Sequence, residues 1–467
     1  MDMSKLSQRA LVLSAILALA AVVLPDVTAL SAQSVTAPTL VIRGIDVLPM
    51  DRDTVLRNHD VVIAGRRIVS IGPARTSYQR GVATIDGHGQ FLIPGLWDVH
   101  VHALDLPPEA RQLLLRHGVT SMRDMGSRSD SLPARRRALN DGTLDTPRLW
   151  AVGPLLDGPR QRWSHAIAWH LTRPEDAAPA IDSLVRLGVD FVKVYNTLSR
   201  DTYLALVEAA GRRNLPVVGH IPFAVTAAEA ARAGQRSLEH AGPEVSTLDC
   251  VDKGHARFSA LLGTWGAQGY GAYLAGLDTL YRTRDAACVR NLMALYHAQG
   301  TFVVPTIVNA IKDSATIDRP ALALLDAMGQ QGCEATIAAF HRATDTQRVA
   351  YHRAFLDDVK ALHEAGVTLV AGTDFPNPCV VPGASLHDEL AWLVRAGLSP
   401  YEALRAATVN AARLIGAADS LGTLRPGMLA DAVMLSADPR QRIGATTTTI
   451  VAVLQNGRVV YRRDQTR

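Results

Sequence analysis

Between residues 91 and 423 the chain repeats one pattern, a short apolar run followed by an alanine-rich stretch. The runs are FLIPGLWDV, GVTSMRDM, PRLWAVG, VDFVKVY, LPVVGH, QRSLEH, TFVVPTI and VTLVAG. Runs this short and apolar read as strands buried on both faces. Stretches such as YLALVEAAGRR and VTAAEAARAG read as the helices between them. Eight strand–helix units predict an α/β fold, a (β/α)8 TIM barrel. Length agrees, because 467 residues suit one large barrel plus a smaller module. Residues 38–90 and 424–464 have a different texture of short strands punctuated by Gly, Asp and Asn. These two ends are expected to pair into one small β-sandwich domain. The segment 248–300 is longer than a single crossover needs. It reads as a helical insertion that could form a lid.

The first residues follow the logic of a secretory signal. Lys5 and Arg9 precede an unbroken apolar or small run from Ala10 to Leu24. That run is shorter than the roughly 20 residues a membrane span needs. A signal peptide over 1–32 is expected, with cleavage after Ala29, Ala32 or Ala37. The mature protein is then periplasmic or extracellular, with no stable membrane anchor. The net charge of +4 is small for this length, and no basic block with interleaved aromatics occurs. Nucleic-acid binding therefore has no support. Export implies an oxidising compartment for Cys250, Cys288, Cys333 and Cys379. No C-x-x-C spacing occurs, and zero, one or two disulfides are all open.

Chemistry concentrates at predicted strand ends. His100 and His102 close the first strand in GLWDVHVHA. With 15 histidines in the chain, one His-x-His is unsurprising. Its place counts for more, because sites of this architecture lie at strand C-termini and residues i and i+2 share a face. Lys193, in VDFVKVYN, is expensive inside a barrel strand unless paired or chemically changed. A bland alternative is a lysine whose head snorkels out at the strand end. His220 ends LPVVGH and His240 ends QRSLEH, one helix and one strand later. Two histidines on one rim suit a metal better than packing. Asp374, in VTLVAGTDFPN, can bind a metal, act as a base, or cap a turn.

These six residues lie in order at five strand ends, and there the chain resembles the amidohydrolase superfamily. FLIPGLWDVHVH and LGTLRPGMLADAVML are similar to that family's entry to and exit from the barrel. SLHDELAWLVRAGLSPYEALRAATVNAARLIG is similar to its last helices. FVKVYN, VVGHIP and SLEHAG resemble the imidazolonepropionase-like branch that includes Xaa-Pro dipeptidases and related carboxypeptidases. The resemblance implies a site for two divalent ions, with zinc the default for nitrogen and oxygen ligands. It implies His100, His102 and Asp374 on one ion, His220 and His240 on the other, and Lys193 as a carbon-dioxide-derived carbamate bridging both. It further implies that a hydroxide shared by the ions attacks a carbonyl, with Asp374 shuttling its proton to the leaving nitrogen.

Two more residues are candidates for the catalytic machinery. His165, in RWSHAIAW, stands where prolidase-like relatives place a histidine thought to hold the substrate carbonyl. This chain has Ser164 before it instead of a glycine-rich context, and an exposed loop histidine is the competing reading. Tyr195 shares the face of Lys193 and is read either as a hydrogen-bond donor to substrate or as packing beneath the site. His170, His387 and Arg123 are further candidates, and Asp388–Leu390 reads as the start of a helix. Trp163 and Trp169 flank His165 and could hold an apolar acyl group. The substrate is expected to be a dipeptide such as Xaa-Pro or an N-acyl amino acid, and homo-oligomers are possible. Ring-opening or ester and lactone hydrolysis, deamination, and a metal-free binding role are the competing readings.

Overall fold

The computed structural model describes residues 38–463 except 76, 79, 106, 129–131, 141–145, 160–165, 313–318, 442 and 444–445. The expected signal peptide lies outside the described residues, as do Trp163 and His165.

A (β/α)8 barrel forms the body of the chain. Its strands are β1 (Leu96–Val101), β2 (Val119–Asp124), β3 (Arg148–Ala151), β4 (Val192–Val194), β5 (Val217–Gly219), β6 (Ser237–Glu239), β7 (Phe302–Val304) and β8 (Thr368–Leu369). Every sequential pair that hydrogen-bonds as a ladder is parallel. The Asp190 amide joins β3 to the approach of β4 by donating to the Ala151 carbonyl at 2.9 Å. A parallel bridge between Val101 and Phe375 closes β8 onto β1. The strands β4, β5 and β6 are buried throughout, which is why they read as apolar runs without alternation. Ser199 and Thr226 start two of the covering helices as side-chain N-caps, Thr226 in a capping box with Glu229.

The stretch FLIPGLWDV is two strands, not one. Phe91–Pro94 pairs with Ala432–Leu435 in the small domain, and β1 starts the barrel after Gly95. A Cβ at Gly95 would fall 2.1 Å from Thr120 Oγ1, so only glycine lets the chain pass there. The small β-sandwich domain takes strands from both ends, as expected. Leu40–Val47 pairs with Leu56–Ala64 on one edge and with Ala83–Asp86 and Phe91–Pro94 on the other. This branch folds the sheet around a core that includes Ile42, Ile63, Leu92, Met434 and Leu454.

Two short strands were not foreseen. Leu155–Asp157 and Ala168–His170 run parallel to each other, and the first also pairs with β4. The insertion is helical, as Gly254–Thr283, interrupted at Gly269, and Ala286–Gln299. It packs through Phe258, Leu274, Leu277 and Tyr281 against Ala343 and Tyr351. Two disulfides are present, Cys250–Cys288 and Cys333–Cys379. The first staples the insertion. The second ties the helix Ala327–Phe340 to the loop that carries Asp374. Among the described residues no helix is long and apolar enough to cross a membrane.

Candidate metal centre

His100, His102, Lys193, His220, His240 and Asp374 all line one cavity of about 550 Å³. Each is delivered by a strand or its C-terminal end. His100 lies within β1 and His102 just beyond it; Lys193 is the middle residue of β4. His220 and His240 directly follow β5 and β6, and Asp374 lies on the loop after β8. Gly219 makes the approach of His220 possible. Its φ is +123°, and a Cβ there would lie 2.4 Å from the Val194 carbonyl and 3.0 Å from Lys193 Cδ.

The rings converge. Centroids of His100 and His102 are 5.6 Å apart, His100 and His240 4.9 Å, and His220 and His240 4.8 Å. Asp374 Oδ1 is 3.4 Å from Nε2 of both His100 and His102. Donor atoms of His100, His240 and Asp374 lie within 4.8 Å of one another.

All four imidazoles are anchored through Nδ1. His100 Nδ1 donates to Glu239 Oε2 at 2.8 Å, and His102 Nδ1 to the Gly126 carbonyl at 3.3 Å. His220 Nδ1 donates to Asn196 Oδ1 at 2.7 Å, and His240 Nδ1 pairs with Thr306 Oγ1 at 2.7 Å. An imidazole that donates from Nδ1 presents an unprotonated Nε2, the form that binds a cation. His100 Nε2 is buried and has no hydrogen-bond partner. A buried lone pair left unused, beside other nitrogen donors and a carboxylate, fits a divalent ion.

Electrostatics favour the neutral imidazole at three of the four histidines. Burial, helped by the Lys193 charge, pushes His100 and His220 well below the ordinary histidine range, and burial also lowers His240. His102 is raised instead, because its contact with Asp374 outweighs its burial. The histidines hold the Asp374 carboxyl below its ordinary range against the opposing effect of burial. Lys193 is 1% exposed, and burial lowers its ammonium to about 8. An amine that deprotonates so readily is competent to add carbon dioxide.

Other expectations meet the structure differently. Tyr195 lines the cavity with its ring 4.3 Å from that of His220. Arg123 does not reach the cavity. It is fully buried behind His100 and binds Glu239. His387 is also buried outside the site, with Nε2 2.8 Å from the His117 carbonyl. His170 donates to the Gly158 carbonyl, and Trp169 packs against the main core. No described residue lining the cavity comes from the insertion, which instead borders a separate cleft of about 770 Å³. Sequence reading missed Glu239, Asn196, Thr306 and Asn309. Asn309 lines the cavity and donates from Nδ2 to Asp374 Oδ2 at 2.6 Å. Only Glu239 left a trace, as an acid inside a strand run.

Comparison with known proteins agrees with this fold. Ochratoxinase of Aspergillus niger is 24% identical over 87% of this chain and 82% of its own length. The structure of a Xaa-Pro dipeptidase with bound methionine matches at a TM-score of 0.64 and 20% identity, covering 91% of this chain and 99% of that one. A prolidase complexed with N-methylphosphonate-L-proline matches at 0.65 and 22%, covering 91% and 100%. The model of the amidohydrolase family matches residues 91–461. The chain therefore belongs to the amidohydrolase family, metal-dependent hydrolases of carbon–nitrogen bonds.

Proposed function

We propose that this chain is an exported two-metal amidohydrolase that cleaves the amide bond of a dipeptide such as Xaa-Pro, or of an N-acyl amino acid. The observation that carries the reading is the convergence of four Nδ1-anchored histidines, Lys193 and Asp374 on one cavity. His100, His102 and Asp374 would hold one ion, His220 and His240 the other, with Lys193 as a carbamate between them. Bound there, the ions would supply Lewis acidity toward a carbonyl and a water acidic enough to ionise near neutral pH. Zinc suits the donor set.

The chain's own groups do the rest. Asp374 takes a proton and returns it to the leaving nitrogen, which departs poorly until protonated. Asn309 holds Oδ2 of Asp374 and so leaves Oδ1 to face His100 and His102. Leu155, Ile167, Tyr195, Pro376 and Pro378 give the cavity an apolar wall for a substrate side chain. The two disulfides support export, since such bonds persist in oxidising compartments. The likeness to a prolidase complexed with N-methylphosphonate-L-proline and to a Xaa-Pro dipeptidase supports a small amide substrate.

The test is a panel of Xaa-Pro dipeptides and N-acyl amino acids, assayed before and after chelation and with divalent metal restored. At least one member is expected to be cleaved, with activity lost on chelation and regained with metal. No cleavage of any member by metal-restored protein overturns the proposal. Asn309→Ala is expected to lower kcat/KM by roughly 10- to 100-fold, from a hydrogen bond to a charged group of about 1.5–3 kcal/mol. Steady-state kinetics on a cleaved panel member would show it, and an unchanged value would remove Asn309 from the machinery.

A further inference from the structure

Behind His100, away from the cavity, lies a charged cluster that the mechanism above leaves unused. Arg123 of β2 and Ser237 of β6 are fully buried, and Glu239 of β6 is 3% exposed. Glu239 Oε2 accepts from His100 Nδ1 at 2.8 Å. Glu239 Oε1 accepts from Arg123 Nη2 at 2.8 Å and from Ser237 Oγ at 2.5 Å. Arg123 is fixed in turn, donating from Nε to the Val99 carbonyl at 2.6 Å and from Nη1 to Ser237 Oγ at 3.2 Å. Val99 directly precedes His100, so the guanidinium grips both the carboxylate and the strand that carries the histidine.

Burying an Arg–Glu pair is a poor way to gain stability, because desolvation of both ions offsets their attraction. The pair also has a distinctive target. Of the four histidines, only His100 hydrogen-bonds a carboxylate through Nδ1; the others bond a carbonyl, an amide oxygen and a hydroxyl, and Asp374 Oδ2 stands 3.9 Å from His240 Nδ1, beyond hydrogen-bond reach. We propose that Glu239, held by Arg123, is a positioning residue that fixes the tautomer and aim of His100 and so sets how tightly the centre binds metal. This rests on the metal-site reading. A carboxylate on Nδ1 locks the proton there, leaves Nε2 as a lone pair facing the cavity, and makes the imidazole a stronger donor. Arg123 supplies the counter-charge, so the cluster brings no net charge to the centre.

The test compares two double variants, Glu239→Gln/Arg123→Met and Glu239→Leu/Arg123→Met. Both remove the two charges together, so neither strands a lone buried ion. Glutamine retains an oxygen for His100 Nδ1–H and leucine does not. Metal affinity is read by competition with a chromophoric chelator, using zinc alone as the probe, beside thermal unfolding of the metal-free proteins. The leucine variant is expected to bind zinc roughly 10- to 100-fold more weakly than the glutamine variant at similar unfolding midpoints. Equal affinities overturn the proposal while leaving the metal site standing. Wild-type protein that takes up no zinc overturns the metal-site reading itself. Should either variant fail to fold, the unsubstituted metal-free protein with labelled histidine nitrogens decides. One exchange-protected, strongly downfield Nδ1 proton assigned to His100 supports the proposal, and a His100 protonated on Nε2 overturns it.

Discussion

Asp374→Asn is expected to lower kcat by roughly 10²–10⁴-fold, the range for losing a positioned proton acceptor, with the fold intact. The backbone argument favours a clean substitution. Asp374 has φ +63°, and its amide donates to the His100 carbonyl at 2.7 Å. Asparagine tolerates left-handed backbone nearly as well as any residue except glycine, so that link survives. The side chain is where the change acts. Asn309 Nδ2 already donates to one Asp374 oxygen, so the new amide must turn its own oxygen to Asn309. Its NH2 group then faces Nε2 of His100 and His102, from which Oδ1 now stands 3.4 Å. It would donate to those lone pairs and compete with a cation for them. Metal content is therefore expected to fall together with kcat. A variant that keeps its metal and turns over within about threefold of wild type would remove Asp374 from both roles.

The sequence showed the site better than it showed what holds the site. Strand ends are legible because the barrel buries its strands on both faces, leaving polar residues such as His100 or His220 to stand out where the run stops. The pairing of those residues with their supports is not legible, because alternation reports a face and never the partner. Glu239 reaches His100 across 139 positions of sequence, and Thr306 reaches His240 across 66. Arg123 illustrates the error that follows. As a cation near a strand end it was a candidate for the site, yet it points into the barrel interior outside the cavity lining, where Ser237 and Glu239 of β6 take up its guanidinium. The reading of FLIPGLWDV as one strand failed for a related reason. Nothing in a continuous apolar run marks where the chain leaves one sheet for another; the break falls at Gly95, where the close approach of Thr120 leaves room for no side chain.

Lys193→Met separates the two-metal reading from its mononuclear rival. Methionine has nearly the shape of lysine but neither charge nor nucleophile, and it keeps the strand packed between Val192 and Val194 while placing a neutral thioether in the cavity. The metal-free variant is expected to unfold at the same temperature as wild type or higher. The reason is that the wild-type chain buries an ammonium whose charge is disfavoured there, lowered to about 8. Activity is expected to move the other way. Losing a ligand shared by two ions forfeits several kcal/mol of electrostatic stabilisation. At 1.36 kcal/mol per tenfold, a loss of about 4 kcal/mol is roughly 10³-fold in kcat/KM. Metal content is expected to drop from two ions per chain to one or none. Incorporation of labelled bicarbonate into the wild-type protein, absent from the variant, would identify the carbamate directly. If instead wild type and variant each hold one tightly bound ion, Lys193 bridges nothing. The centre would then be mononuclear, with the cluster of His100, His240 and Asp374 as its core, and the deaminase-like reading would take precedence over the peptidase. A gain in stability paired with a loss of catalysis is the signature that a purely packing lysine would not give, because its removal would leave turnover unchanged.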